Sequence, residues 1–163
     1  MAKISAGLLM YRVCNGELEV LLVHPGGPFW HHKDAGAWSL PKGEVERDED
    51  LLLAAQREFQ EEIGITPQGT FIPLGSVTLK SGKIVHAWAF EGDCDPMVIK
   101  SNTILLEWPP KSGKLQRIPE VDQAAFWSVA QARTKVNPAQ IAFLDRLERT
   151  GTKPGGKGIA PRD

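Results

Sequence analysis

The chain has 163 residues, 42% of them hydrophobic, which fits a single compact domain with its own core. Lys and Arg number 19 and Asp and Glu 20, so a formal net charge of −1 gives no electrostatic case for binding nucleic acid or an anionic membrane. There is no apolar run of membrane-helix length and no signal-peptide cleavage pattern, so we expect a cytoplasmic protein. Cys14 and Cys94 lack the spacing of a disulfide framework or zinc site and are expected to be ordinary thiols.

The first half of the chain predicts a hairpin, a loop and a helix. Residues 5–11 and 18–24 are rich in strand formers and flank Asn15-Gly16, a favoured hairpin turn. Residues 26–34 form an irregular loop with two aromatic residues and two histidines, of a kind that often lines sites. Helix-forming residues then run from Asp48, a predicted N-cap, to Gly64, a predicted C-terminal stop.

The second half predicts more strands and a final helix. Residues 71–79 and 84–91 are expected to pair, and residues 103–108 and 124–128 are further candidate strands. Asn137, followed by a proline, predicts a helix from Asn137 to Arg149. Residues 1–150 would form the domain, and residues 151–163, rich in Gly, Pro and charge, a flexible tail.

Three carboxylates stand on one face of the predicted first helix. Glu58, Glu61 and Glu62 occupy positions i, i+3 and i+4, and each like-charge pair at this spacing costs on the order of 0.2–0.5 kcal/mol. Arg57 reaches Glu61 at i+4, but one guanidinium cannot neutralise three carboxylates. A hard divalent cation can, and magnesium is the simplest candidate. Taken alone, the pattern also fits a solvated acidic face.

The segment around these carboxylates resembles a long family signature. Gly43 is followed by five residues and Glu49, then by seven residues and the run Arg57-Glu58-Phe59-Gln60-Glu61-Glu62-Ile63-Gly64-Ile65. This stretch matches every position of the Nudix box. Residues 5–24, 38–43 and 120–127 also resemble the family's opening hairpin, the strand leading into the box and its late acidic segment. The resemblance implies an α/β fold, an α/β/α sandwich with a mixed sheet.

The resemblance also implies a chemistry for the box. In the Nudix family the box holds divalent metal ions, usually Mg²⁺ with Mn²⁺ also possible, against a diphosphate, and water attacks a phosphorus atom. It implies metal ligation by Glu58, Glu61, Glu62 and the Gly43 carbonyl, with Glu58 or Glu61 also accepting a proton from the attacking water. Two further box residues, Arg57 and Glu49, correspond to the pair that orients these carboxylates.

Outside the box the candidate site residues are fewer. Lys42 is a candidate phosphate contact, with an ordinary exposed lysine as the alternative. Glu120 corresponds to a distant glutamate that many Nudix enzymes use as metal ligand or base, although Asp122 is equally available. Trp30, in the Gly-rich loop, is the best candidate for stacking on a base. The four histidines do not follow a metal-ligand spacing and are expected to be surface or hydrogen-bonded residues.

The expected substrate is a small molecule with a nucleoside diphosphate linkage. We favour a nucleoside triphosphate pyrophosphohydrolase that releases a nucleoside monophosphate and pyrophosphate, with a dinucleoside polyphosphate hydrolase as the alternative. The tyrosine found after the box in some dinucleoside tetraphosphate hydrolases is absent. The proline that many ADP-ribose hydrolases carry beyond the box is also missing, which disfavours ADP-ribose and coenzyme A. A non-catalytic binding module would typically have lost box glutamates. RNA end processing is disfavoured by the neutral charge. Residues 97–118 are a candidate substrate-specific insertion.

Overall fold

The structure is a computed structural model that describes residues 3–99 and 103–151. Its strands are β1 (Ile4–Cys14), β2 (Glu17–Pro25), β3 (Lys42–Glu44), β4 (Ile72–Thr78), β5 (Ile84–Glu91), β6 (Thr103–Glu107), β7 (Leu115–Pro119) and β8 (Val121–Ser128). Its helices are α1 (Leu51–Ile63), α2 (Val129–Lys135) and α3 (Ile141–Arg149). Within this part of the chain, no helix has the length and apolar character required to cross a membrane.

The strands form a mixed sheet in the order β4-β5-β1-β2-β8, with β3 also paired to β1. β1 runs parallel to β5, and its pairings with β2 and β3 are antiparallel. The other two pairings in this sheet, β2 with β8 and β4 with β5, are antiparallel as well. β6 and β7 form a separate two-stranded hairpin.

Side chains that alternate along β1 pack on opposite faces of the sheet, as the two-residue period of a strand requires. Ala6, Leu8 and Met10 belong to the core cluster that includes Phe59 of α1. Leu9 and Tyr11 belong to the cluster that includes residues of α2 and α3. The sheet is therefore covered by helices on both faces, and the expected α/β/α sandwich with a mixed sheet is confirmed.

The sheet forks between β1 and β2, and the segment before α1 enters the fork. Residues 11–14 of β1 pair with β2, whereas residues 5–7 pair with β3. Between these stretches the Leu8 N–H donates to the Pro41 carbonyl and the Val23 N–H donates to the Ser39 carbonyl. A Cβ at Gly7 would overlap the Pro41 carbonyl and the side chain of Leu40, so this close approach requires glycine. The fork thereby brings Gly43 next to α1.

Most predicted elements are present, but the predicted N-cap of the first helix is wrong. The first hairpin and the pair β4–β5 are confirmed, and Gly64 ends α1 in the left-handed conformation at φ 82°. Asp48 is not the N-cap. It has a φ of 63° in the turn before the helix, and Asp50 caps α1 by accepting from the Leu53 N–H at 3.1 Å. Both residues are suitable caps by type, and the backbone turn decides between them.

The C-terminal half contains two elements that the sequence analysis missed. α2 begins at a capping box formed by Ser128 and Gln131, a signal that is visible in the sequence, and β7 completes the hairpin with β6. Asn137 caps a 3₁₀ turn over Pro138–Gln140, so the predicted final helix becomes α-helical only at Ile141. Of the predicted tail, residues 152–163 lie outside the described residues. Both cysteines are free and half-buried.

Gln140 is a buried polar link between the last helical segment and the fork. Its Oε1 accepts from the Leu40 N–H at 3.1 Å, and its Nε2 donates to the Ser39 Oγ at 3.0 Å. We expect Gln140→Met, which keeps the volume but loses these partners, to lower the free energy of unfolding by roughly 1–3 kcal/mol in urea titrations. Gln68→Met, at an exposed position, is the control and should change it little. Equal effects of the two substitutions would contradict this role.

Candidate active site

The carboxylates of α1 lie against the backbone of β3. A Cβ built on Gly43 would overlap the Glu58 carboxylate, so only glycine allows Glu58 to approach the strand this closely. The structure places Glu58 half-buried, Glu61 exposed and Glu62 buried. The three predicted site carboxylates therefore share one side of α1 but differ strongly in their exposure to water.

Arg57 is the main cation among these carboxylates. Its Nε and Nη2 donate to the two oxygens of Glu49 at 2.8 and 2.9 Å, and its Nη1 donates to Glu58 at 2.8 Å. Glu61 lies farther away, at 3.4 Å from Nη1. The hydrogen bond from Arg57, helped by the Glu46 N–H, lowers the pKa of Glu49 to about 2. The bidentate contact with Glu49 fixes the orientation of the guanidinium, and the guanidinium in turn holds the Glu58 carboxylate.

Glu62 is the site carboxylate whose charged form is most strongly disfavoured. Burial is the main cause that raises its pKa to about 8, the carboxylates of Glu120 and Glu58 contribute to this rise, and Lys42 opposes it. Burial is also the main reason that the pKa of Glu58 is raised, against the lowering effect of Arg57. The carboxylates thus lack enough positive charge around them. This is the environment that a bound cation would relieve.

Lys42 is the basic residue that opposes the pKa shift of the buried Glu62. Burial lowers its pKa, and Lys83 lowers it further, whereas Glu62, Glu44 and Glu58 act in the opposite direction. It is not the freely exposed lysine of the alternative interpretation. Its half-buried position beside the carboxylates favours contact with an anionic group that enters the site.

A cleft of about 280 Å³ brings together several predicted site residues that are distant in sequence. Trp30, Lys42, Glu62 and Glu120 line it. Much of the remaining wall is apolar and comes from Val23, Ala37, Trp38, Leu40, Leu79 and Val121. Glu49, Arg57, Glu58 and Glu61 do not line this cleft, although Glu58 and Glu61 act on its carboxylates electrostatically. The site therefore has an acidic end on α1 and an apolar end at the tryptophans.

The donor atoms fit a hard divalent cation. Glu58, Glu61, Glu62 and the Gly43 carbonyl offer only oxygen, which Mg²⁺ and Mn²⁺ prefer. Among residues 3–99 and 103–151, no group of three acidic, histidine or cysteine side chains is arranged to hold a metal ion. Glu58 and Glu61 instead face Arg57 Nη1, so binding would require these carboxylates to turn.

Glu120 and Asp122, which the sequence could not separate, have different positions. Glu120 lines the cleft, and burial together with Glu61 raises its pKa. Asp122 lies 2.9 Å from Nδ1 of His24 and lines a neighbouring depression. His24 is buried, and no spacing in the sequence pointed to this pair because its members are 98 residues apart. Trp38, which the sequence analysis did not select over Trp30, is a second tryptophan of the cleft wall.

Comparison with known proteins identifies one family. The family model of the NUDIX domain matches residues 3–147. The chain is 41% identical over 64 residues to the asymmetrical bis(5′-nucleosyl)-tetraphosphatase of Caenorhabditis elegans, an alignment that covers 39% of this chain and 42% of that protein. It is 44% identical over 52 residues to an RNA pyrophosphohydrolase of Caulobacter vibrioides, covering 29% and 30%. The alignments thus span less than half of the curated relatives.

Solved structures share the fold at low sequence identity. The Caenorhabditis elegans Ap4A hydrolase in a binary complex has a TM-score of 0.63 at 23% identity, covering 88% of this chain and 95% of that one. The NUDIX domain of Shewanella oneidensis NrtR complexed with ADP ribose has a TM-score of 0.62 at 16% identity, covering 91% and 87%. At these identities the similarity concerns the fold alone.

The contact between Glu49 and Arg57 predicts a stability that depends on pH. Because the pKa of Glu49 falls from its usual 4.5 to about 2 on folding, its contribution is complete above pH 4.5 and is lost as the pH falls toward 2. We expect Glu49→Gln to lower the free energy of unfolding at pH 7 by about 1–2 kcal/mol, and this difference from the parent should shrink in acid.

Urea titrations between pH 7 and pH 2.5 measure the effect. Glu46→Gln, at an exposed position of the same loop, is the matched control and should differ little from the parent at any pH. A deficit of Glu49→Gln that stays constant across this range would show that the charge of Glu49 contributes nothing to stability.

Proposed function

The chain belongs to the NUDIX domain family, and we propose that it is a metal-dependent hydrolase that cleaves the diphosphate linkage of a nucleotide. The observation that carries the proposal is the cleft in which Lys42, Glu62 and Glu120 meet an apolar wall containing Trp30. Such a cleft offers one end to phosphates and the other to a nucleobase. The names of the Caenorhabditis and Caulobacter relatives support this class of reaction.

In this proposal Glu58, Glu61, Glu62 and the Gly43 carbonyl hold the divalent cation, Mg²⁺ or Mn²⁺. When bound, the cation screens the charge of the diphosphate and stabilises the charge that develops as the P–O bond breaks. The raised pKa of Glu62 supports this assignment, since buried carboxylates without enough positive charge favour a cation. Glycine at position 43 is needed because any side chain would displace the Glu58 carboxylate.

The remaining polar residues position groups and move a proton. Glu58 or Glu61 accepts the proton of the attacking water, and Glu120, on the other side of the cleft, is a further candidate base. Arg57 holds Glu58, and Glu49 fixes Arg57 by two hydrogen bonds, which restricts the orientations from which Glu58 turns toward the cation. Lys42 contacts a phosphate as a point charge.

The apolar end of the cleft favours a single nucleoside. Trp30, which is half-buried, contributes aromatic surface on which a base can stack, and the buried Trp38 forms part of the same wall. A volume of about 280 Å³ is at the low end for small-molecule sites and suits one base rather than two. We therefore propose a nucleoside triphosphate as the substrate, with a nucleoside monophosphate and pyrophosphate as products.

A dinucleoside tetraphosphate is the second candidate substrate. The 41% identity to the Caenorhabditis tetraphosphatase over 64 residues favours it. In that case one nucleoside would occupy the cleft, and the other would extend out of it into solvent. A non-catalytic binding module, the alternative of another class, would bind a nucleotide without turnover.

A substrate panel separates these functions. We expect purified protein with Mg²⁺ to release nucleoside monophosphate and pyrophosphate from nucleoside triphosphates, and turnover to disappear with a chelator because three glutamates alone repel a diphosphate. Dinucleoside tetraphosphate, ADP-ribose and triphosphorylated RNA are the comparison substrates. Undiminished hydrolysis after complete metal removal would overturn the mechanism, and a strong preference for the tetraphosphate would overturn only the proposed substrate.

Glu61→Gln tests the acidic end of the site. We expect turnover to fall at least about a hundredfold, because the change removes a cation ligand and a candidate proton acceptor. The free energy of unfolding should stay the same or rise slightly, because position 61 is exposed and a glutamine there no longer repels the neighbouring carboxylates. Glu17→Gln, at an exposed position outside the site, is the control for both measurements. Normal turnover in Glu61→Gln would remove Glu61 from the site.

A further inference from the structure

We propose that His24 is a positioning residue that holds two walls of the cleft at once, the wall with Glu120 and the wall with Trp30. Only the kinetic consequences of this inference rest on the proposed function. His24 lies near the end of β2, is only 5% exposed and does not line the cleft itself. Its influence must therefore pass through the groups that it contacts.

The two ring nitrogens of His24 contact different segments of the chain. Nδ1 lies 2.9 Å from Oδ1 of Asp122, at the start of β8, and Nε2 lies 2.5 Å from the Lys33 carbonyl in the loop that follows β2. With a hydrogen on each nitrogen, the ring donates to both oxygens. The ring also packs edge-on against Trp38, with centroids 5.3 Å apart, so its orientation is restricted.

The contact through Nδ1 leads to Glu120. In the pairing of β2 with β8, His24 is opposite Gln123 and Pro25 is opposite Val121, which leaves Asp122 as the extra residue of a bulge. A bulge changes the direction in which side chains point, and here it brings the Asp122 carboxylate into contact with the His24 imidazole. Glu120 is two residues earlier, and its carbonyl accepts from the Gly26 N–H at 3.0 Å. A shift of the bulge would move Glu120 in the cleft.

The contact through Nε2 leads to Trp30. The Lys33 N–H donates to the Trp30 carbonyl at 2.9 Å, and the Trp30 N–H donates to the Gly27 carbonyl at 3.3 Å. Lys33 Nζ also lies 3.8 Å from the ring centroid of Phe29, which packs against Trp30. The two hydrogen bonds stay within the loop, and the contact with His24 links Lys33 to β2. The adjacent Asp34 accepts from the Trp38 Nε1–H and from Lys135, which hold the next part of the loop.

Two near-isosteric substitutions separate these contacts. The side-chain amide of asparagine can occupy the position of Nδ1 and that of glutamine the position of Nε2. His24→Asn should therefore keep the contact with Asp122 and release Lys33, whereas His24→Gln should do the reverse. His86→Asn, on β5 and outside the proposed site, is the matched control.

The kinetic test is a split between kcat and KM on the nucleotide that the parent hydrolyses. Positioning contacts around functional groups typically contribute 10–100-fold, so we expect His24→Gln to lower kcat about tenfold or more, with KM changed less than about threefold. His24→Asn should instead raise KM about tenfold, with kcat changed less than about threefold. A merely structural histidine would move the same parameters in both variants, and that result would overturn the proposal.

Hydrogen–deuterium exchange tests the same inference without turnover, so it still decides if the proposed function fails. We expect faster amide exchange in residues 27–37 for His24→Asn and in residues 119–124 for His24→Gln, with the parent rate in both segments for His86→Asn. Equal acceleration of both segments in both variants, or none in either, would show that His24 does not hold the two walls separately.

Discussion

The concentration of negative charge on one side of α1 is the constraint on which the site depends. Glu62 is buried, Glu58 is half-buried, and Glu120 approaches from the opposite wall. Each carboxylate raises the free energy of its neighbours' charged forms, and burial adds to this cost. Arg57 compensates Glu58 and, at a longer distance, Glu61. Lys42 only partly compensates Glu62, whose pKa stays raised. The remaining excess of negative charge favours the binding of a cation at this surface.

The fork in the sheet explains how this charge meets a backbone strand. Residues 38–43 enter between β1 and β2, and the hydrogen bonds of Leu8 and Val23 hold them there. Two glycines make the approach possible. Gly7 leaves room for the Pro41 carbonyl, and Gly43 leaves room for the Glu58 carboxylate. Backbone and carboxylate oxygens therefore come together without any side chain between them.

The opposite wall is built by different means. It consists of the loop after β2 and the bulge at the start of β8, which carry Trp30 and Glu120. A Cβ at Gly26 would overlap the Pro119 carbonyl, so glycine is again required where the two segments touch. Side chains supply part of the contact between this loop and the rest of the fold, through the buried His24 and through Asp34. In the proposed reaction this wall would decide the substrate preference and supply Glu120 as a further candidate base, whereas the carboxylate ligands of the cation lie on α1.

The amino-acid sequence by itself determined the features that depend on local geometry. These are the two hairpins, the helix that stops at Gly64, the shared face of the three glutamates and the reach of Arg57 to Glu61, because turn chemistry and helical spacing act over a few residues. Its long signature, by resemblance, also identified the family and the pairing of Arg57 with Glu49.

Only the tertiary structure decided which of these groups are buried and which distant residues meet. The choice of Glu120 over Asp122 for the cleft follows from a bulge, and His24 reaches Asp122 across 98 residues. Likewise, Glu62 is buried because α1 packs on the sheet beside Lys42, which no helical pattern reveals. Burial and long-range register are properties of the packed chain, since they arise only when the sheet brings remote segments together.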